Sequence, residues 1–179
     1  MNDIEVRSVI ADDAAELAAL LNEIIDRGGT TAWEEHFSAR RLADAMLSGP
    51  EVICCFVAVE STTRKRLGFQ SLLKSEDLPG GVVDITTFAR VGLTQKGIGS
   101  SLFAATRAEA IRRKLVAINA TIRGDNNGGL TFYSRMGFRD HSVKPAVPLK
   151  DGTPVDRINK RYLLESQSPG RGPSVLSYK

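Results

Sequence analysis

The chain has 179 residues, with 24 Lys and Arg against 21 Asp and Glu and a net charge of +3. Hydrophobic residues make up 42% and charged residues 25%, the profile of one soluble domain with a sizeable core. So mild and scattered a positive balance argues against a nucleic-acid binder, and no apolar run approaches the about 20 residues of a membrane span.

Residues 1–7 are polar and lack the basic-then-apolar order of a signal peptide. Residues 4–10 read as a first strand. Asp13 is placed to cap the helix that follows, with Glu16 three residues on as its reciprocal partner. Ala14, Leu17, Ala18, Leu21, Ile24 and Ile25 recur at helical spacing, and Gly28-Gly29 stops the helix. A polar connection over 30–37 leads to Ser38, which caps a second short helix running to about Leu47. Residues 52–59 are almost wholly apolar, as in a strand covered on both faces. Within them Cys54 and Cys55 are adjacent, and strand neighbours point to opposite faces, so no bond between them is expected. Reduced cysteines point to a cytoplasmic location.

Residues 61–65 form a turn, 67–73 a strand, and Pro79-Gly80-Gly81 a break before the β-branched strand 82–91. A glycine-bearing loop, 92–99, opens into a helix over about 98–114 with Phe103, Thr106, Ala110 and Ile111 on its buried stripe. Val116, Ile118, Ala120 and Ile122 alternate as in a strand. A polar turn over 123–127, a short helix through Met136 and a stop at Gly137 follow. Residues 138–143 and 155–164 read as closing strands. The Ser-, Pro- and Gly-rich stretch 166–179 reads as a disordered tail behind one domain, 1–165. The fourth strand, its helix and the fifth strand form a βαβ unit, so those two strands run parallel; turns join the others in antiparallel fashion. The fold class is therefore α/β (α+β): a mixed, mostly antiparallel sheet of about six or seven strands flanked by about four helices.

The stretch that carries chemistry is Val91-Gly92-Leu93-Thr94-Gln95-Lys96-Gly97-Ile98-Gly99-Ser100-Ser101-Leu102. Glycines at a strand-to-helix junction let an anion approach backbone N–H groups at the positive end of a helix. The dinucleotide fingerprint fails because Leu102 stands where its third glycine belongs. The nucleoside-triphosphate loop fails because Ile98 stands where its lysine belongs. The stretch equally fits a tight turn without a ligand. It resembles the coenzyme A pyrophosphate loop of the GNAT acetyltransferases, whose pattern is Arg or Gln, two residues, Gly, one residue, Gly or Ala. Gly97 and Gly99 match, whereas Thr94 departs from the Arg/Gln position and Gln95 stands one step on.

A second stretch resembles the same family. Asn126-Asn127-Gly128-Gly129-Leu130-Thr131-Phe132-Tyr133-Ser134-Arg135-Met136-Gly137-Phe138 carries its Asn, small residue, aliphatic, aromatic and Tyr, then Gly-Phe. Read alone, Asn126 is equally a helix cap and Tyr133 a core aromatic. The segment from Leu21-Asn22-Glu23 to Thr31-Ala32-Trp33-Glu34-Glu35 resembles the first helix and acceptor loop of phosphinothricin-type amino-acid N-acetyltransferases. The resemblance spans about residues 4–164.

The resemblance implies transfer of an acetyl group from acetyl-CoA, a cosubstrate, to the primary amine of a small molecule such as an amino acid or a phosphinothricin-like analogue. It implies a coenzyme site formed by Phe88, Ala89, Arg90, Val91, Gln95, Lys96, Gly97, Ile98, Gly99, Ser100, Asn126 and Tyr133. Tyr133 is the implied proton donor to the leaving sulfur and Asp84, on the fourth strand, the implied base. Trp33, Glu34 and Glu35 are the implied acceptor contacts, and Arg40, Arg41 and Arg90 are open alternatives for holding an acceptor carboxylate. An antibiotic or protein amine is the alternative acceptor, and a catalytically weak acyl-CoA sensor is the alternative class. His36 and His141 are too isolated to argue for a metal, and no cluster of ligand residues accompanies either in the sequence. The family often dimerises, which extends to this chain a homodimer as an expectation.

Overall fold

The structure is a computed structural model and describes residues 4–93 and 97–164. The expected tail, 166–179, lies outside the described residues. Strand β1 (Ile4–Ser8) pairs antiparallel with β2 (Val52–Glu60), β2 with β3 (Arg66–Leu73), and β3 with β4 (Val82–Ala89). Strand β5 (Ala117–Arg123) runs parallel to β4. Strand β7 (Pro154–Leu163) then inserts between β5 and the edge strand β6 (Arg139–Pro148), giving the order β1-β2-β3-β4-β5-β7-β6.

Helix α1 (Ala14–Arg27), the short α2 (Ala39–Leu42) and a π-helical turn (Ala43–Leu47) pack on one sheet face. Their apolar cluster includes Leu17, Leu21, Met46, Val57, Phe69 and Phe88. Helices α3 (Ile98–Arg112) and α4 (Asn127–Arg135) cover the other face, around Val83, Ile85, Phe103, Ile118 and Tyr133. The split follows from strand alternation: β4 residues an odd number of positions apart face opposite clusters, Val83 and Ile85 one and Phe88 the other.

Local chemistry explains where the sequence reading and the structure part. The first strand ends at Ser8 rather than residue 10, and Ala11–Asp13 form one 3-10 turn before α1. Asp13 is not a side-chain cap on α1. It is wholly buried and accepts two bonds from Arg7, both 2.8 Å, one from Arg66 at 2.9 Å and one from the Ile10 N–H. Ser38 does cap α2, accepting from the Arg41 N–H at 3.1 Å. The helix widens into the π turn at Ala43, whose carbonyl accepts from both Ser48 and Gly49 N–H groups. Strand β4 stops at Ala89 instead of residue 91, because Gly92 at φ +80° turns the chain and Leu93 N–H bonds the Arg90 carbonyl. Strand β6 runs on to Pro148, well past the expected residue 143.

Candidate active site

Strand β4 is paired with β3 from Asp84 to Ala89, but with β5 only at Val82, Val83 and Asp84. Beyond Asp84 the parallel strands part and leave a wedge between them. Arg90 N–H donates to the Leu67 carbonyl at 2.7 Å, which sets the alternation of the ladder. Phe88 and Arg90 turn their peptide groups toward β3, so Thr87 and Ala89 turn theirs toward the wedge. Such an edge is a template for one more extended chain.

Tyr133 comes to this wedge from α4, although it is only 7% exposed. Its hydroxyl lies 2.9 Å from Thr87 Oγ1, and Gln70 Nε2 donates to the same Thr87 oxygen at 2.8 Å. Burial raises the phenol's pKa, the nearby Asp84 charge adds to that, and the Thr87 hydrogen bond opposes it without cancelling it. The hydroxyl therefore stays protonated through the neutral range.

Asp84 sits where the wedge begins, on the opposite sheet face from Thr87. Asn119 Nδ2 donates to its carboxylate at 2.9 Å. Burial pushes the carboxyl above its usual range, and bonds from Asn119 and the Ile85 N–H only partly offset the push. Asn119 also reaches Thr121 Oγ1 at 3.2 Å and Asn159 Oδ1 at 3.4 Å, which extends a polar row from β4 across β5 to β7.

Gly97 stands at φ +75° as the residue before α3, a left-handed position that suits glycine. Ser100 Oγ donates to its carbonyl at 2.9 Å. The first bond within the helix runs from Ser101 N–H to Gly97. The helical acceptors for the N–H groups of Ile98, Gly99 and Ser100 would fall at residues 94–96. Gln95 and Lys96, expected at the coenzyme, lie outside the described residues, as does Thr94. A Cβ on Gly99 would sit 2.7 Å from the Phe132 ring, so the missing side chain lets α3 and α4 meet at the wedge. Ile98 and Phe88 are core side chains. Val91 packs against the α1 cluster, and Arg90 turns its guanidinium to Glu16 at 3.3 Å and Glu23 at 3.6 Å.

Asn126 uses both ends of its side-chain amide within the protein. Oδ1 caps α4 at Gly129 N–H, 2.8 Å, and Nδ2 donates to the Thr30 carbonyl, 2.7 Å. Arg123, held by Asp125, donates to the Thr31 carbonyl at 3.1 Å. The segment after α1 is thus moored to the β5–α4 junction. Trp33 lies in it, 41% exposed, edge-on to buried Phe37 at 5.3 Å. Glu34 accepts from Lys150 N–H at 2.8 Å, and Glu35 lies 3.6 Å from Lys150 Nζ and 3.8 Å from Arg41. Both carboxylates therefore tie this segment to neighbouring chain.

Burial pushes the Cys54 and Cys55 thiols up to about 11 and about 12, which leaves neither a ready nucleophile. Among the described residues no group of His, Cys, Asp and Glu could hold a metal ion, and no helix is long and apolar enough to cross a membrane. Thr87, Gln70, Asn119 and Arg161 went unremarked in the sequence. Only knowledge of strand register brings them beside the wedge.

No protein-family model and no curated protein sequence matches the chain. Solved structures do. A GNAT superfamily phosphinothricin acetyltransferase from Sinorhizobium meliloti, in complex with AcCoA, is 17% identical over 99% of this chain and 96% of that one, with a TM-score of 0.80. A GCN5-related N-acetyltransferase from Kribbella flavida is 20% identical over 90% and 98%, TM-score 0.77. An N-acetyltransferase from Staphylococcus aureus Mu50 is 17% identical over 91% and 99%, TM-score 0.78. With its wedge between parallel β4 and β5 and its glycine turn into α3, the chain has the fold of the GNAT acetyltransferases.

Proposed function

We propose that the chain is an acetyl-CoA-dependent N-acetyltransferase acting on the primary amine of a small molecule, through one domain spanning residues 1–165. The observation that carries this reading is the wedge: an open β4 edge at Thr87 and Ala89 beside a protonated, buried Tyr133 hydroxyl. An amide-bearing arm laid along that edge gains the main-chain hydrogen bonds of an added strand. The helix start behind Gly97 suits a diphosphate, and the absent side chain at Gly97, beside which only Ser100 Oγ among the described residues comes within 4 Å, leaves backbone in reach. These residues fit acetyl-CoA, which supplies the activated acyl carbon when bound.

Transfer forms a nitrogen–carbon bond and breaks a carbon–sulfur bond. The amine gives up a proton and the leaving sulfur takes one. Tyr133 is the group to deliver the second proton, since burial keeps it as the acid. Asp84 is the group to receive the first, directly or through water, since burial makes its carboxylate a stronger base than usual. An N–H of the open β4 edge would face the carbonyl oxygen as charge develops on it.

The test is thiol release from acetyl-CoA across a panel of primary amines, alongside calorimetric titration with coenzyme A. Micromolar coenzyme binding and release with at least one amine is the expected result. Binding without release for any amine would instead favour an acyl-CoA sensor, and absence of binding would end the reading.

A further inference from the structure

Asp84, Asn119 and Arg161 stand abreast on three adjacent strands. Asp84 is registered with Asn119, and Asn119 with Arg161. Register partners share a sheet face, so all three rise from the face that carries α1. Thr121 and Asn159 form the next pair along, joined by a 2.9 Å hydrogen bond. The apolar cluster under α1 draws on β2, β3 and β4 but on no residue of β5 or β7. What those two strands offer this face is a polar floor leading away from Asp84.

The floor is under-satisfied. Asn119 is 2% exposed, yet its Oδ1 has no hydrogen bond, and neither do buried Thr86 Oγ1 and Arg161 Nε among the described residues. Buried polar atoms without partners are uncommon and call for a reason. Arg161 is also unusual for its type. Half-buried Arg7, Arg66 and Arg90 and buried Arg123 are each bound to a carboxylate. The Arg161 side chain has no ion pair or hydrogen bond among the described residues. The arginines that the sequence suggested for an acceptor carboxylate are otherwise engaged: Arg40 lies 3.9 Å from Asp44, Arg41 stacks at 4.3 Å over Phe37, and Arg90 serves Glu16 and Glu23.

The two ends of the row have opposite chemistry. Asp84 and Asn119 Oδ1 accept, which suits an amine; Arg161 donates from a planar fork, which suits a carboxylate. We infer that this row is the acceptor floor and selects an amine that also bears a carboxylate, with Arg161 as the residue that receives it. The inference rests on the acetyltransferase reading for the amine's fate, but the carboxylate site stands on its own contacts.

The experiment compares L-amino acids with their decarboxylated amines, in thiol release from acetyl-CoA and in calorimetric binding to the enzyme–coenzyme A complex. Wild type should prefer the carboxylate-bearing member of at least one pair by about 10–100-fold in KM or Kd, the range for a hydrogen bond to a charged group. Arg161→Gln should erase that preference by raising KM for the amino acid, with kcat and coenzyme affinity little changed. Arg161→Lys should keep part of it. If amino acids bind but no amine is acetylated, and Arg161→Gln abolishes the binding, the catalytic reading fails while the carboxylate site stands. Equal use or equal binding of both members of every pair by wild type overturns the inference. So does a preference that survives Arg161→Gln, or no binding of any amino acid.

Discussion

The Tyr133 hydroxyl lies 2.9 Å from Thr87 Oγ1, which joins helix α4 to the open edge of β4. The Thr87 oxygen already accepts from Gln70 Nε2 at 2.8 Å. With that lone pair taken, its own proton can go to the Tyr133 oxygen, and the phenol proton is left for a third group in the wedge. If Tyr133 is the acid of the proposed reaction, Tyr133→Phe should lower kcat by about 10²–10⁴-fold while coenzyme A affinity stays nearly constant. Stopped-flow thiol release and calorimetry measure the two quantities. Unchanged kcat would remove Tyr133 from the mechanism.

Thr87→Val tests orientation separately from acidity. It keeps the volume and the phenol but removes the hydroxyl between Gln70 and Tyr133. We expect kcat to fall by about 10-fold, in keeping with one lost hydrogen bond, with KM for coenzyme unchanged. Thr87→Ser should restore most of the rate. A Val variant as active as wild type would show that packing against Phe132 and Phe138, rather than Thr87, holds the ring.

Asp84 couples activity to pH in a defined direction. Burial raises its pKa, and only the deprotonated form accepts a proton. The proposed role therefore predicts kcat/KM rising with pH through a value above the ordinary carboxylate range, then levelling. Asp84→Asn should abolish that limb and cost about 10²–10⁴-fold in rate. Stability should move the other way. A carboxyl whose folded pKa lies above its unfolded one loses stability as pH rises past the unfolded value. Asp84→Asn should therefore melt no lower than wild type at pH 7, and a large drop in Tm would assign the residue to the scaffold instead.

The parallel β4/β5 pair and its glycine turn were legible because a strand, a glycine pair, a helical stripe and a second strand follow one another within local sequence. Asp13 was not. Its position three residues before Glu16 matches a cap, but its partners Arg7 and Arg66 lie 6 and 53 residues away, and nothing local announces them. Arg161 was hidden for a related reason. In sequence β7 is a charged alternating strand, and only its insertion between β5 and β6 sets Arg161 against Asn119. In sequence Asn126 fits a helix cap and, by the family resemblance, a coenzyme contact. The cap is what its hydrogen bonds show, together with a tie to Thr30 that no spacing rule contains.

Asp13 gives a prediction about acid stability. Burial alone would raise its pKa, but bonds from Arg7, the Ile10 N–H and Arg66 outweigh that and hold it at about 2, against an unfolded value of 3.8. The pKa is depressed, so the stabilisation is present above pH 3.8 and is lost as pH falls toward 2. Its size is about 2 kcal/mol, since each tenfold change in proton affinity is worth roughly 1.4 kcal/mol. Urea unfolding from pH 6 to pH 2 should show this loss, and Asp13→Asn should flatten part of it. The variant should also be destabilised by about 3 kcal/mol at pH 7, since Arg7 and Arg66 lose a buried partner. A pH profile identical to wild type would contradict the network's role.

Gly99 and Gly129 give a paired test of how the wedge is supported. A Cβ on Gly99 would meet the Phe132 ring at 2.7 Å, and that ring stands edge-on to Tyr133 at 5.0 Å. In Gly99→Ala the ring must shift, and Tyr133 with it. Overpacking of this kind costs about 1–3 kcal/mol, more than the about 1 kcal/mol that alanine gains over glycine within a helix. The variant should lose stability and kcat together. A Cβ on Gly129 would instead meet Asn126 Nδ2 at 2.6 Å, displacing the amide that caps α4 and holds Thr30. Loss of that cap costs about 1 kcal/mol. Because the Thr30 segment leads to Trp33, Gly129→Ala should raise KM for the acceptor more than it lowers kcat. Urea titration and steady-state kinetics on the two variants separate these outcomes. Equal effects on acceptor KM would mean that the Asn126–Thr30 tie does not shape the acceptor side.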